Sequence, residues 1–153
     1  MKRRGFTLVE LAIVIAILGI LAMYAIPKYQ GMIDEARSGE ARAQLGTFRS
    51  ALAIYYAKHH GVFPDYNTVN SGAIFAEGTV PYVEVTVNGS PNRSNTVTLA
   101  GTQDGTITST EVANSNIGGW MYDVSSTSDK ADVRINSTDT DPAASTTTYW
   151  YQY

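Results

Sequence analysis

The chain contains no cysteine among its 153 residues, and only 16% of them are charged. Without cysteine it can form neither a disulfide nor a thiolate metal site, so a domain outside the cytoplasm would have to be held together by other contacts. Only two histidines are present, His59 and His60. Adjacent helical positions point about 100° apart, so this pair does not predict a two-ligand metal face.

Motifs for catalysis are missing as well. The sequence has no nucleophile motif with a matching base, no glycine-rich phosphate loop and no zinc-ligand spacing. The net charge is −3, which argues against a strongly basic surface for nucleic acid. The sequence therefore predicts that the protein is not an enzyme and has no specific nucleic-acid partner.

What the chain does have is a long apolar stretch at its N-terminus. From Phe6 to Ile26 there are 21 residues with a single charge, Glu10. As a helix this stretch would be roughly 30 Å long, about the thickness of the hydrocarbon core of a bilayer. Three basic residues, Lys2 to Arg4, precede it. The positive-inside rule places them in the cytoplasm and the remainder of the chain outside.

Glu10 is costly in such a segment, by about 2.5–3.5 kcal/mol near the centre of a membrane helix and less towards an end. Neither an ordinary signal peptide nor a plain signal anchor explains it. A signal peptide also has a shorter apolar region, about 7–15 residues, followed by a small-x-small cleavage site. Here the first Ala-x-Ala lies far downstream, at residues 41–43. We therefore expect a counter-charge for Glu10.

The run Lys2-Arg3-Arg4-Gly5, followed by Phe6-Thr7-Leu8-Val9-Glu10-Leu11, resembles the class III signal of type IV pilins and type II secretion pseudopilins. The resemblance covers residues 2–30 and includes Pro27. It implies that prepilin peptidase cleaves after Gly5, removes residues 1–5 as a leader and methylates the amine of Phe6. It also implies that Glu10 is the acid of the mature helix in this family.

Such a cut would give Phe6 a free cationic amine in the same apolar layer as the Glu10 carboxylate. Each charge is costly alone, and paired they stabilise each other where unpaired charge is strongly penalised. The pair could form within one subunit or between neighbours. We predict the second arrangement, in which Glu10 sets the axial register by meeting the Phe6 amine of a neighbouring subunit.

Two residues are predicted to interrupt the apolar helix of residues 6–27. Pro27 should end or kink it, because proline lacks an N–H and clashes with the preceding turn, and Gly19 weakens it. The resemblance implies that the segment from Gly19 to Pro27 can lose helical structure in a filament, and a simple curve is the alternative. Residues 28–60 are predicted to be an amphipathic helix with an apolar stripe of Leu45, Phe48, Leu52 and Tyr55, widened by Ala41, Ala51 and Tyr56.

Residues 61–153 are predicted to form a globular antiparallel β domain. Gly61 and Pro64 signal the end of the helix, and residues 61–81 form a connecting loop. Period-two patterns and turn residues predict strands at Tyr82–Val87, at Thr96–Leu99 as its pairing partner, at Thr106–Val112, and at Gly118–Val124 with Ala131–Ile135 as a hairpin. Residues 148–153 form either a last strand or an aromatic tail. The fold class is α+β and pilin-like, with a long N-terminal helix packed on a small sheet.

Asp139 and Asp141 belong to a group of acidic residues near the C-terminus. Carboxylates suit Ca²⁺, and the resemblance implies a possible calcium site, since some pseudopilins hold calcium in this loop where a disulfide is missing. The spacing is not that of an EF-hand, and acids in a Ser/Thr-rich loop are more often solvated. Calcium is therefore a candidate cofactor only, and none is firmly predicted.

The favoured function is that of a structural subunit of a type IV pilus. The chain would begin as a single-pass inner-membrane protein, be cut by prepilin peptidase, and leave the lipid to join a homopolymer through helix–helix packing at an inner-membrane assembly platform. One alternative is a pseudopilin of a periplasmic pseudopilus. Exposed Ser/Thr/Asn-rich loops favour the pilus, and the missing cysteines favour the pseudopilin. An alternative of a different class is a non-polymerising, membrane-anchored binding module, which predicts no cut after Gly5.

Overall fold

The N-terminal helix, α1, comprises the 51 residues Leu8–Lys58. The computed structural model describes residues 5–144 and 147–153, so most of the predicted leader, Met1 to Arg4, lies outside the described residues. The helix is continuous through Pro27, so this proline does not end it, and the alternative that Pro27 kinks it stays a prediction. It stops two residues before the predicted end. His60 and Gly61 follow with φ of 56° and 87°, and Gly61 thus takes the predicted left-handed position.

The predicted apolar stripe of α1 faces the β domain over most of its length. Leu45, Phe48 and Leu52 are buried, whereas Tyr55 is only partly buried. These three side chains carry no polar group that would lose contact with water, and burial of each stabilises the folded state by about 1.5–3 kcal/mol. Tyr56 is 38% exposed, which corrects its assignment to the stripe. It lies in the last turns of the helix, and its ring contacts Phe63, at 4.5 Å between centroids.

Within the described residues, five strands form two small sheets. Their bounds are Val83–Val87 (β1), Ser90–Ser94 (β2), Val97–Leu99 (β3), Trp120–Val124 (β4) and Ala131–Ile135 (β5). β1 and β2 pair antiparallel, and the second sheet has the order β3-β4-β5. In that sheet β3 runs parallel to β4, and β4 runs antiparallel to β5. The α+β class and the β4–β5 hairpin are confirmed, but the second sheet is mixed rather than antiparallel.

The predicted pairing of Thr96–Leu99 with the first strand is wrong, because β2 occupies that position. The reason is the turn between β1 and β2. Asn88 and Gly89 have φ of 52° and 75°, and two successive residues with positive φ close the tight hairpin whose twist matches the strands. The chain therefore turns back at once, and β3 is left to pair with β4.

Two short helices correct the loop and strand predictions. Helix α2, Tyr66–Asn70, lies within the segment predicted as a loop. Helix α3, Ser109–Ser115, replaces the strand predicted at 106–112. Thr108 and Glu111 form a capping box at its start, and this reciprocal satisfaction of N–H groups stabilises a helix over the β-propensity of the threonines. At the C-terminus, a 3-10 helix at Trp150–Gln152 and a single bridge between Thr140 and Tyr149 form the aromatic tail.

The core lies between α1 and the sheets. Trp120 and Tyr122 of β4 are fully buried, and their polar atoms donate to the backbone oxygens of Pro81 at 2.8 Å and Pro64 at 2.7 Å. Ser38 is the first buried residue of α1. No helical residue before Ser38 is buried, although Arg37 still reaches Glu84 of β1 at 3.0 Å, and on the N-terminal side of this contact the helix projects away from the core.

Candidate functional site

The projecting part of α1 exposes nearly all of its apolar side chains. An 18-residue window of the helix is apolar enough to cross a membrane, and none of it is buried. Large exposed side chains run from Phe6, which is 76% exposed, to Ile26, which is 57% exposed. Soluble monomers rarely expose an apolar surface of this size. Lipid or other protein must therefore cover this half of the helix.

The predicted cleavage point lies just outside the helix. Thr7 is the N-cap of α1, with φ −85° and ψ 150°, so Gly5 and Phe6 precede the first helical residue. Both are exposed, and among the described residues no atom beyond the chain neighbours lies within 4 Å of the position that a Cβ would take on Gly5. A peptidase can therefore approach the bond between Gly5 and Phe6 without unwinding helix, although the cleavage itself stays a prediction.

The Glu10 carboxylate folds back on the start of its own helix. Its Oε2 accepts hydrogen bonds from the backbone N–H and the hydroxyl of Thr7, both at 2.8 Å. The Thr7 hydroxyl in turn accepts the N–H of Glu10 at 3.2 Å, which completes a capping box. A carboxylate at a helix N-terminus also interacts favourably with the helix dipole. In the isolated chain the negative charge is therefore partly compensated by Thr7, a contact that the sequence reasoning missed.

Gly19 and Pro27 both lie inside continuous helix in the isolated chain. Apart from the neighbouring backbone of α1, no atom of the described residues lies within 4 Å of a Cβ placed on Gly19, so packing among these residues does not require the glycine. The loss of helical structure between these two residues in a filament stays a prediction.

Asp141 lies at the centre of a buried contact between α1 and the C-terminal segment. Its Oδ1 accepts from the Ser38 hydroxyl at 2.6 Å and from the Ala143 N–H at 2.9 Å. Its Oδ2 accepts from Arg42, through both Nε at 3.1 Å and Nη2, and from the Tyr153 hydroxyl at 2.8 Å. Burial alone would raise the pKa of Asp141, but the hydrogen bonds from Ser38 and Arg42 outweigh it and hold the pKa below its usual value.

This arrangement does not fit a calcium site. Both oxygens of Asp141 already accept hydrogen bonds, and one of them is paired with the Arg42 guanidinium. A divalent cation would have to displace that positive charge and the Ser38 and Tyr153 hydroxyls. Asp139, the other candidate ligand, accepts the N–H of Gly89 at 2.7 Å and thereby holds the β1–β2 turn. The two aspartates thus form hydrogen bonds between distant parts of the chain. The partners Ser38, Arg42 and Tyr153 were not recognised from the sequence.

The histidines lie at the end of α1, as predicted. The ring of His59 stacks on Tyr55 at 3.7 Å between centroids, and its Nδ1 is 2.9 Å from the Tyr55 backbone oxygen. His60 follows in a left-handed conformation. The two side chains are thus helix-end residues.

Comparison with known proteins finds one match to a family model and several similar proteins. The family model for the prokaryotic N-terminal methylation motif matches residues 1–26. A fimbrial protein of Eikenella corrodens is 39% identical over 108 residues, which cover 71% of this chain and 62% of that protein. A type IV major pilin of Neisseria gonorrhoeae is 47% identical over 66 residues, 43% of this chain and 39% of the pilin. The major component of the type IV narrow pilus of Thermus thermophilus is 42% identical over 62 residues, 40% of this chain and 53% of that protein.

The chain thus spans less than two thirds of the length of each of these relatives. No solved structure matches it. The methylation motif lies at residues 1–26, where the described structure has the exposed start of α1. The chain thus carries the N-terminal methylation motif at residues 1–26, leading into an exposed apolar helix, and is similar to pilins and fimbrial proteins over part of their length.

Proposed function

We propose that this chain is a structural subunit of a type IV pilus, which polymerises through the apolar half of α1 after its leader is removed. The observation that carries the proposal is the exposed apolar segment from Phe6 to Ile26. The helix contains an 18-residue window that is apolar enough to cross a membrane, and none of this window is buried. Packing against identical helices would bury this surface in the filament core. Lipid would cover it before assembly, in an inner-membrane form with its N-terminus in the cytoplasm.

Processing follows the same logic. Prepilin peptidase would cut the exposed bond between Gly5 and Phe6 and methylate the new amine of Phe6. The mature side chains would then comprise 8 Lys and Arg against 14 Asp and Glu, a balance of −6. Assembly at an inner-membrane platform would move the helix from lipid into the polymer, with the β domain forming the outer surface.

Glu10 is suited to receive the amine of a neighbour. Both hydrogen bonds donated by Thr7 go to Oε2, and within the described residues Oε1 has no recorded donor. Oε1 can therefore accept a bond from a second chain while the capping box stays intact. An amine brought into this apolar layer would gain a full counter-charge, and the alternative of leaving both charges unpaired is strongly unfavourable.

The relatives favour a pilus over a pseudopilus, since they are named as pilins and fimbrial proteins. Those names describe structural proteins, which agrees with the lack of catalytic motifs. Long external fibres are accordingly the expected product.

Mass spectrometry of the mature protein and electron microscopy of sheared material test the proposal. We expect a methylated Phe6 at the N-terminus and long fibres from cells that express the protein. Glu10→Ala should sharply reduce fibre yield, whereas Glu40→Ala, which removes an exposed glutamate from the same helix, should not.

An intact Met1, or a cut near residue 26, would refute processing after Gly5 and favour the anchored binding module. Correctly trimmed protein that forms only short periplasmic structures would favour the pseudopilin. Normal fibre yield from Glu10→Ala would refute the role of the carboxylate in register.

A further inference from the structure

Lys28 is an exposed cation directly after Pro27, at the outer end of the apolar segment. No ion pair involving Lys28 occurs within residues 5–144 and 147–153 of the isolated chain. Asp34, about one and two-thirds turns further along α1, has a side chain that is 48% exposed and a carboxylate 3.9 Å from the Arg37 guanidinium. Arg37 is closer to Glu84, at 3.0 Å. Lys28 and Asp34 thus carry opposite charges that the single chain leaves largely unused.

The axial spacing of this pair matches the offset required by the proposed contact between Phe6 and Glu10. Leu8 to Glu10 rises about 3 Å as helix, and the two extended residues before Leu8 add at most about 7 Å. A neighbour whose Glu10 is level with the Phe6 amine is therefore displaced by roughly 6–10 Å towards the cytoplasmic end. Lys28 and Asp34 lie six residues apart, or about 9 Å along a helix.

The sense of the displacement is also the same. In both contacts the residue nearer the N-terminus belongs to the copy that lies further from the cytoplasm. The residue further along the chain belongs to the neighbour that is displaced towards the cytoplasmic end. Loss of helix between Gly19 and Pro27 would not alter this match, because Lys28 and Asp34 both lie beyond that segment. One displacement therefore satisfies both charge pairs.

The angular positions distinguish Asp34 from its neighbour Glu35. Two parallel helices that pack side by side present different faces to each other. Two residues that meet across this contact must therefore lie on different sides of the helix. At about 100° per residue, Asp34 lies roughly 120° around α1 from Lys28, whereas Glu35 lies roughly 20° from it, on nearly the same face. Axes 8–10 Å apart are within reach of a lysine and an aspartate that point towards each other.

We propose that Lys28 of one copy pairs with Asp34 of the neighbouring copy in the assembled fibre. The partner is a second copy of this chain, so the inference rests on the proposed filament function. The Glu10 contact fixes the height of one helix against the next at the inner end. The Lys28–Asp34 contact fixes both height and rotation at the outer end, where the helices emerge from the apolar layer.

Charge reversal tests the pair. Lys28→Asp and Asp34→Lys should each lower the yield of sheared fibres severalfold relative to the unaltered chain, and the double variant that exchanges the two charges should restore it. Glu35→Lys is the matched control, because it makes the same change of charge one residue away on the wrong face. We expect it to leave fibre yield within twofold, as exposed single charges alter such equilibria little.

The cysteine-free sequence allows a second test. A variant with Lys28→Cys and Asp34→Cys should give a ladder of disulfide-linked multimers when fibres are oxidised, and a variant with Lys28→Cys and Glu35→Cys should not. Neither pair can close within one chain, because the two positions are about 9 Å or more apart on one helix and a disulfide requires Cα atoms within about 7 Å.

Equal effects of Asp34→Lys and Glu35→Lys, no recovery in the charge-exchanged variant, or equal ladders from the two cysteine variants would overturn the pairing. These results presuppose fibres from the unaltered chain. If correctly trimmed, unaltered protein forms no fibres at all, the proposed function itself is refuted, and the pairing is refuted with it.

Discussion

Replacing Asp141 by alanine removes the acceptor that joins the C-terminal segment to α1. Hydrogen bonds to a charged group contribute about 1.5–3 kcal/mol each, and a buried donor left unpaired costs about 1–3 kcal/mol. Ser38 is 1% exposed and loses its partner outright, whereas the Arg42 side chain is 41% exposed and regains water. We therefore expect a loss of about 3 kcal/mol in the free energy of unfolding, well below the sum of the individual bonds.

For a chain of this size, about 3 kcal/mol corresponds to a fall in Tm of roughly 6–12 °C. Thermal unfolding of the full chain in detergent measures it, followed by near-ultraviolet circular dichroism. That signal reports the packing of Trp120 and Trp150, both buried in the core, and is insensitive to helix that detergent preserves. Asp139→Ala is the matched control, since its carboxylate accepts one backbone N–H from the exposed β1–β2 turn, and we expect it to lower Tm by no more than about 4 °C.

A Tm for Asp141→Ala within 2 °C of that for Asp139→Ala would show that the hydrogen bonds to Asp141 are not the main contact that holds the C-terminal segment on α1. Addition of Ca²⁺ to the unaltered chain provides a further check. Because the Arg42 guanidinium occupies the carboxylate, we expect no calcium-dependent rise in Tm. A rise that Asp141→Ala or Asp139→Ala abolishes would show that calcium can displace it.

Three further changes test other parts of the fold by the same melting measurement. Burial would raise the pKa of Glu111, but hydrogen bonds from threonines lower it to about 2. The stability that the ionised form contributes is therefore present above about pH 4.5 and is lost as the pH falls towards 2. Glu111→Gln should cost about 1 kcal/mol at neutral pH, and this cost should shrink as the pH falls through that range. Phe48→Ala, at a fully buried ring that contacts Trp120 at 5.1 Å, should cost about 3–5 kcal/mol, and a cost below 1 kcal/mol would contradict its central position. Gly119→Ala should destabilise because its Cβ would lie 2.5 Å from a backbone oxygen at a φ of 75°, while Gly46→Ala, on an open helix face, should stabilise by about 1 kcal/mol.

The features that the sequence predicted correctly depend on residues close together in the chain. The apolar segment, Glu10 within it and the stripe of Leu45, Phe48 and Leu52 all follow from local spacing. The β4–β5 hairpin does so as well, because its strands are adjacent and a turn joins them. Even the missed helix α3 had a local signal in Thr108 and Glu111, the capping-box pattern, which the threonine-rich context obscured.

The features that were missed depend on contacts between distant residues. Asp141 was considered as a calcium ligand because other acids lie near it in sequence. Its actual partners Ser38 and Arg42 are 103 and 99 residues away, one helical turn apart on α1, and only the fold brings them to it. The parallel pairing of β3 with β4 is non-local in the same way, since a whole helix lies between the two strands.

The molecule separates folding from assembly along one helix. From Ser38 onwards α1 is buried by the β domain and fastened through Asp141, so this part needs no second copy to complete its core. Before Ser38 no described residue of the helix is buried, and the charges of Glu10, Lys28 and Asp34 remain available for the proposed contacts between copies. Changes at Asp141 or Phe48 should therefore alter Tm, whereas changes at Lys28 should alter fibre yield and leave Tm within about 2 °C, because an exposed charge contributes little to folding. The proposed move from lipid to polymer would then leave the core folded, since the surface that would be exchanged is not part of the core.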